Sequence, residues 1–187
     1  KRHRPIASGA LNLGVARVIG TLLLVGGIAL AFVPSNKAGA AAAVYVVITI
    51  SYSTVLKYIA VVDLVAVASG FIVRAVGGAV AVGVPLSTWF LLTTSFAALF
   101  IVTGKRYAEL RELGDGTATA RATLEDYTLG FLRIVLSVSC SATLVAYCMW
   151  AFQVKELSGS QWPFYELSIV PMLMALLRYL LILEQGH

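Results

Sequence analysis

The stretch WFLLTTSFAALFIVTGKRYAEL, residues 89–110, decides the class of fold. Its first part, from Trp89 to Gly104, holds no charged residue, and Lys105 and Arg106 follow at once. An apolar run of this kind that ends in cations is typical of a helix crossing a bilayer, which needs roughly 20 apolar residues. If the helix continues beyond the membrane, Glu109 shares a face with Lys105 (i,i+4) and Arg106 (i,i+3).

Similar apolar runs recur along the whole chain of 187 residues, which is 59% hydrophobic and 12% charged. Soluble domains carry about a quarter charged residues, so this composition indicates an integral membrane protein. We predict an all-α fold, a polytopic transmembrane bundle forming one domain over residues 1–187. Six spans are expected, at about 10–33, 38–56, 58–82, 87–104, 128–152 and 163–183. Because the chain begins at Lys1 rather than Met, we expect a fragment truncated at both ends.

The positive charges favour one side of the membrane. Alternating spans place the N-terminal segment, the turn at 56–58 and the loop 105–127 together on the side with most of the Lys and Arg residues. The positive-inside rule makes that side cytoplasmic, at the plasma membrane. Residues 105–127 are predicted to form a helix–turn–helix cap over its mouth. Cations beside carboxylates suit a phosphate-bearing substrate with a divalent cation, although orientation or headgroup binding alone also explains the cations.

Two ionisable residues lie inside the predicted third span. Asp63 is expected about one and a half turns into that span, and a charge at such a place is functional or paired with a partner. Arg74 returns to nearly the same face eleven residues later, about 16 Å away, and is expected to face the bundle interior. Structural anchor and substrate ligand are both open for Arg74.

Several kinds of chemistry find no support in the sequence. No P-loop, H-E-x-x-H, G-x-S-x-G or C-x-x-C pattern occurs. The two histidines, His3 and His187, lie at the ends of the chain. Nucleophilic catalysis by a Ser/His or Cys/His pair is therefore not predicted, and no nucleic-acid partner is expected.

Five stretches in fixed order carry a resemblance to a known family: KRHRPIASG (1–9), YSTVLK (52–57), SGFIVRAVGGAVAVGVPLSTWFLL (69–92), GKRYAEL (104–110) and LEDYTLGFLRIV (124–135). Together they resemble the UbiA superfamily of intramembrane prenyltransferases. The resemblance implies about nine spans, of which this chain holds about six, with a first Asp-rich motif upstream of Lys1. Where aromatic prenyltransferases of the family carry a second motif, D-x-x-x-D, this chain reads KRYAEL with Glu109 as its acid. That difference favours a soluble, heavily phosphorylated co-substrate.

The resemblance is strongest to the branch that transfers 5-phosphoribose from phosphoribosyl pyrophosphate to a polyprenyl phosphate, decaprenyl phosphate, for a cell-wall arabinan precursor. It implies Mg²⁺ as cofactor, with Asp63 and Glu109 as catalytic residues that act through the metal or the ribose hydroxyls, and Glu109 as a metal ligand. The implied substrate-binding residues are Lys1, Arg4, Tyr52, Lys57, Arg74, Lys105 and Arg106.

Three alternatives stay open at this point. One is prenyl transfer to an aromatic acceptor, as elsewhere in the superfamily. Another is a membrane transporter or scaffold without enzymatic activity. Assembly into a homo-oligomer is also open.

Overall fold

The fold is known from a computed structural model, which describes residues 12–114, 124–159 and 161–185. Every regular element in these ranges is helical. The elements are α1 (Leu13–Ala31), α2 (Asn36–Thr54), a 3₁₀ turn (Leu56–Tyr58), α3 (Val62–Val82), α4 (Thr88–Gly114), a second 3₁₀ turn (Leu124–Asp126), α5 (Leu129–Ser158), the short α6 (Phe164–Leu167) and α7 (Ile169–Gln185). The all-α class predicted from composition is confirmed.

Local sequence fixes where several helices begin and end. The Ser35 hydroxyl accepts a hydrogen bond from the Ala38 N–H at the start of α2, and Thr128 does the same for Phe131 at the start of α5. These contacts satisfy N–H groups that the first turn of a helix leaves unpaired. At its C-terminal end, α5 stops at Gly159, whose φ of 61° is a left-handed conformation that glycine adopts without steric cost.

Helices α1 to α5 run alternately up and down and pack in chain order, with α4 at the centre between α3 and α5. The core is built from apolar side chains of α3, α4, α5 and α7, and includes Leu64, Phe100, Leu132 and Leu176. A side chain at Gly104 would collide with the hydroxyl of Tyr179, so α7 approaches α4 closely only because this residue is glycine. Consequently α2, α4 and α7 end, and α3 and α5 begin, at one end of the bundle, here called the charged end.

Five described helical segments are long and apolar enough to cross a membrane: Leu13–Ala31, Val62–Val82, Thr88–Glu112, Leu129–Ser158 and Phe164–Gln185. The prediction of six spans differs from this count at α2. That helix forms where expected and has 19 residues, but it begins with Asn36 and Lys37 and closes on the polar stretch Ser51–Thr54. The chain is thus a multi-pass helical protein, and α2 is the long helix that lies outside this set of five.

Asp63 lies nearer the start of its helix than the sequence predicted. We expected the third span to begin near residue 58, but residues 56–58 form a 3₁₀ turn and α3 begins at Val62. Val61, just before it, has a φ of 68°, which is rare for a β-branched residue. Asp63 therefore lies in the first turn of α3, at the charged end, and not one and a half turns inside the helix.

Two further boundaries differ from prediction. Residues 105–114 continue α4 without a break, as far as the described residues reach. The rest of the predicted cap is described only from Leu124, as a single 3₁₀ turn, and residues 115–123 lie outside the described residues. In addition, α5 extends to Ser158 rather than 152, so that Lys155 lies on this helix and pairs with Glu166 of α6.

Candidate site at the charged end of the bundle

A buried ion pair joins α3 to α4 at the charged end. Arg106 Nε donates to Asp63 Oδ2 at 3.0 Å, across 43 residues of sequence. Both side chains are almost completely enclosed, with 4% of Arg106 and 1% of Asp63 exposed. Because an unpaired charge at such a depth would be very costly, each residue depends on the other. The partner that the sequence left open for Asp63 is Arg106.

The second oxygen of Asp63 is also engaged. The hydroxyl of Tyr127 donates to Asp63 Oδ1 at 2.5 Å, and it accepts from the backbone N–H of Val61 at 2.6 Å. Burial, together with the hydrogen bond to Asp63, raises the pKa of the Tyr127 hydroxyl above its ordinary value. The phenol thus stays protonated at neutral pH and remains a donor. With both oxygens occupied, Asp63 has the environment of a structural carboxylate.

Arg106 also organises two groups that lie nearer the surface. Its Nη1 donates to Glu109 Oε2 at 3.0 Å, the i,i+3 pair expected from the sequence. Its Nη2 donates to the hydroxyl of Tyr52, in the last turn of α2, at 3.3 Å. The side chain of Glu109 is 35% exposed. Arg106 therefore links Glu109 and Tyr52, and the Glu109 side chain is partly exposed.

The other predicted site residues lie apart from this cluster or outside the described residues. Lys105 is exposed, one residue from Arg106 and on a different side of α4. The Lys57 ammonium lies over the ring of its neighbour Tyr58, 4.8 Å from the centroid. Lys1 and Arg4 fall outside the described residues.

Arg74 is not part of the cluster either. Its Nη1 donates to the Tyr45 hydroxyl at 3.1 Å, and its guanidinium lies 4.4 Å from the centroid of the Phe71 ring. In the described part of the chain the residue is exposed and lines the groove between α2 and α3, so its place in the bundle interior stays a prediction. Eleven residues separate it from Asp63, about 16 Å along the helix. Arg74 is therefore too far away to share a ligand group with Asp63.

An apolar groove between α2 and α3 connects these two regions. A cavity of about 260 Å³ is lined by Tyr45, Ile48, Thr49, Tyr52, Ala66, Val67, Gly70, Phe71 and Arg74. A second cavity of about 290 Å³ shares Tyr45 and Arg74 and continues toward Pro34 and Ala81 at the opposite end of the bundle. The groove begins at Tyr52, whose hydroxyl contacts Arg106, so an apolar channel meets the ionic cluster at this residue.

A second polar cluster joins α4, α5 and α7 to one another at the charged end. The Tyr107 hydroxyl donates to Glu184 Oε1 at 3.0 Å, and Arg133 Nε lies 3.4 Å from the same oxygen. Arg111 Nη1 donates to the Leu183 carbonyl at 2.9 Å, which satisfies a terminal carbonyl of α7. Lys105, Arg106 and Tyr107 are consecutive, and their side chains leave α4 in different directions. Helix α4 is therefore anchored before Glu109 by Arg106, which binds α3, and after it by Arg111, which binds α7.

The residues at this end suit Mg²⁺ only together with substrate oxygens. No group of three or more Asp, Glu, His or Cys side chains able to hold a metal ion occurs within residues 12–114, 124–159 and 161–185. Mg²⁺ usually binds one or two carboxylates, keeps several waters and takes further ligands from substrate phosphates. Glu109, which is partly exposed, fits that role, whereas Asp63 is enclosed and accepts a hydrogen bond on each of its oxygens.

Sequence reasoning did not single out Tyr127 as a site residue, nor the cluster of Tyr107 and Glu184. Tyr127 lies within LEDYTLGF, a stretch used only for the resemblance, and its partner Asp63 is 64 residues away. A tyrosine beside a membrane span is ordinarily explained by interfacial anchoring. Nothing in the local pattern distinguishes a buried bridging phenol from such an anchor.

Comparison with known proteins places this geometry in context. The sequence pattern described as the UbiA prenyltransferase family matches residues 1–186. Similar curated proteins are named decaprenyl-phosphate phosphoribosyltransferase. The one from Corynebacterium glutamicum is 38% identical over 181 residues, covering 96% of this chain and 54% of the relative. That from Mycolicibacterium smegmatis is 36% identical (100% and 60% covered), and that from Mycobacterium tuberculosis 38% (100% and 61%). The chain thus spans little more than half the length of these relatives.

Proposed function

The chain belongs to the UbiA prenyltransferase family, and from this premise we propose that the protein of which it forms part transfers 5-phosphoribose from phosphoribosyl pyrophosphate to a polyprenyl phosphate. The names of the relatives support the choice of reaction and of decaprenyl phosphate as acceptor. One structural observation carries the proposal. The apolar groove between α2 and α3 begins at Tyr52, and Tyr52 contacts the Asp63–Arg106–Glu109 network. An amphiphile with a phosphate head and an isoprenoid tail matches this sequence of environments.

The reaction makes few demands on acid–base groups. An oxygen of the lipid phosphate attacks C1 of the ribose, the bond from C1 to the pyrophosphate oxygen breaks, and pyrophosphate leaves with the electron pair. The lipid phosphate is already an anion at neutral pH, so no general base is required. The protein must position two phosphate-bearing substrates and stabilise the charge that develops on the leaving group.

The described residues divide these tasks by their exposure. Lys105 and Lys57 are cations outside the buried network and are proposed to contact phosphate oxygens. Tyr52 orients the lipid head at the mouth of the groove, while Glu109 hydrogen-bonds the ribose hydroxyls or serves as the protein carboxylate of a bound Mg²⁺. When bound, Mg²⁺ would supply neutralisation of the pyrophosphate charge. Lys1 and Arg4 are proposed phosphate contacts as well.

The direct test is an assay of the full-length protein in membranes with labelled phosphoribosyl pyrophosphate and decaprenyl phosphate. Glu109→Gln and Lys105→Ala are each expected to lower kcat/KM about 10- to 100-fold, since each removes a charge proposed to act on substrate. Glu156→Gln and Lys37→Ala change the same residue types at exposed positions of the opposite end and are expected to leave turnover within about twofold. Near wild-type turnover of both site variants would refute the site.

The choice of substrates also separates the proposal from its alternatives. Transfer of a prenyl group from a prenyl diphosphate to an aromatic acceptor, without phosphoribosyl transfer, would establish the aromatic prenyltransferase instead. Absence of transfer with either donor, together with absence of binding that depends on Mg²⁺, would favour a transporter or scaffold. Omission of Mg²⁺ is expected to abolish phosphoribosyl transfer.

A further inference from the structure

Tyr127 lies outside the groove yet ends a chain of contacts that leads to Glu109. Its hydroxyl is 2.5 Å from Asp63 Oδ1, Asp63 Oδ2 is 3.0 Å from Arg106 Nε, and Arg106 Nη1 is 3.0 Å from Glu109 Oε2. We infer that Tyr127 is a positioning residue of the candidate site, acting through Asp63 and Arg106 on Glu109. The inference deepens the proposed function and rests on it for the role of Glu109.

Burial makes this chain of contacts suited to transmit a displacement. Tyr127 is 5% exposed, as enclosed as Asp63 and Arg106, so water cannot take the place of a hydrogen bond that is removed among these three. Each link also involves at least one ion, and such hydrogen bonds are shorter and stronger than neutral ones. If the phenol is removed, Asp63 is free to rotate, and the guanidinium that it orients is the same one that holds Glu109 and Tyr52.

The same hydroxyl stabilises the backbone from which Asp63 projects. It accepts from the N–H of Val61, the residue before α3, whose φ of 68° is strained for a β-branched side chain. Conformations of this kind persist only where the surroundings hold them in place. One phenol therefore supports the position of Asp63 twice, through its carboxylate and through the turn that precedes it.

Tyr127 also packs through its ring, which stacks on Phe131 with centroids 5.9 Å apart. Phenylalanine keeps the ring and removes only the hydroxyl, so Tyr127→Phe separates ring packing from the hydrogen bonds to Asp63 and Val61. Tyr147→Phe is the matched control, because it too removes a hydrogen-bonded phenol, the one that donates to Ser168 near the opposite end of α5.

The kinetic test uses the full-length protein and the phosphoribosyl-transfer assay. Tyr127→Phe is expected to lower kcat about tenfold while the KM for each substrate changes less than about twofold, because the phenol touches neither substrate. Tyr147→Phe is expected to retain wild-type kcat. Equal kcat for the two variants, or a loss for Tyr127→Phe confined to KM, would overturn the inference.

A double-mutant cycle then asks whether Tyr127 acts through Glu109. If it does, adding Tyr127→Phe to Glu109→Gln costs less than about twofold in kcat, since the group being positioned is already altered. If the two losses multiply, Tyr127 acts by another route and the inference is wrong.

A third measurement keeps the inference distinct from the proposed function. Wild-type protein that transfers no phosphoribose refutes the proposed function, and the kinetic cycle then uses whichever transfer the protein catalyses. If it catalyses none, the midpoints of thermal unfolding decide: Tyr127→Phe and Asp63→Asn are expected to shift the midpoint non-additively. Additive shifts would remove the first link of the chain and overturn the inference.

Discussion

Replacing Asp63 with asparagine removes the negative charge opposite Arg106 and leaves the shape of the side chain nearly unchanged. We expect this substitution to lower the free energy of unfolding by about 2–4 kcal/mol. Removing one partner of a buried ion pair costs about 3–5 kcal/mol, because the remaining charge stays enclosed without compensation. Glu109 contacts the same guanidinium at 3.0 Å and offsets part of that loss, so the expected range lies below this figure.

The short hydrogen bond from Tyr127 works in the opposite direction. An asparagine oxygen still accepts from the phenol, but as a neutral acceptor, and hydrogen bonds to charged groups contribute about 1.5–3 kcal/mol against roughly 1 kcal/mol for neutral ones. Because of this weaker hydrogen bond, the expected loss in the free energy of unfolding lies near the middle of the range of about 2–4 kcal/mol. The measurement is reversible unfolding in detergent, followed by the loss of helical circular dichroism.

Two controls show whether the loss of stability comes from the buried ion pair. Asp126→Asn removes a carboxylate at an exposed position of the same end and is expected to change stability by less than about 0.5 kcal/mol. Arg106→Met added to Asp63→Asn removes both charges and is expected to recover part of the stability that Asp63→Asn loses, as replacement of both partners often does. The reasoning would be refuted if Asp63→Asn stayed within about 0.5 kcal/mol of wild type. It would also be refuted if the double variant lost as much stability as Asp63→Asn and Arg106→Met lose separately, added together.

Other substitutions test packing and the groove. Gly104→Ala is expected to lower the free energy of unfolding by about 1–3 kcal/mol, because its methyl group collides with the Tyr179 hydroxyl. Gly78→Ala, whose methyl group meets open space, is expected to be neutral or stabilising by up to about 1 kcal/mol. Thermal unfolding measures both variants, and equal effects would contradict the close approach of α7 to α4. Arg74→Gln is expected to raise the KM for the lipid several-fold, because it alters the lining of the apolar groove. It is expected to leave kcat and the KM for phosphoribosyl pyrophosphate unchanged, because Arg74 lies about 16 Å from Asp63 along α3. A fall in kcat alone would place Arg74 at the reaction centre instead.

Much of the fold could be predicted from the sequence, because the extent of a helix depends mainly on consecutive residues. The apolar run that ends at Lys105 and Arg106 predicts a helix that can continue past the membrane, and α4 is continuous from Thr88 to Gly114. The pairing of Arg106 with Glu109 follows from helical spacing alone. The start of α3 was missed because it depends on the strained turn at Val61, and no residue type in KYIAVVD indicates that conformation.

The sequence by itself determined a polytopic helical membrane protein, its family, and the gathering of its ionisable residues at one end, since hydrophobic length and helix direction are properties of consecutive residues. Only the tertiary structure decided which of those residues meet. It enclosed Arg106, which the sequence presented as a substrate-binding cation, and occupied both oxygens of Asp63, which the sequence presented as catalytic. It also left the Glu109 side chain partly exposed. The physical reason is that partners 43 and 64 residues apart are chosen by how helices rotate and pack, and buried charges persist only where that packing brings opposite charges together.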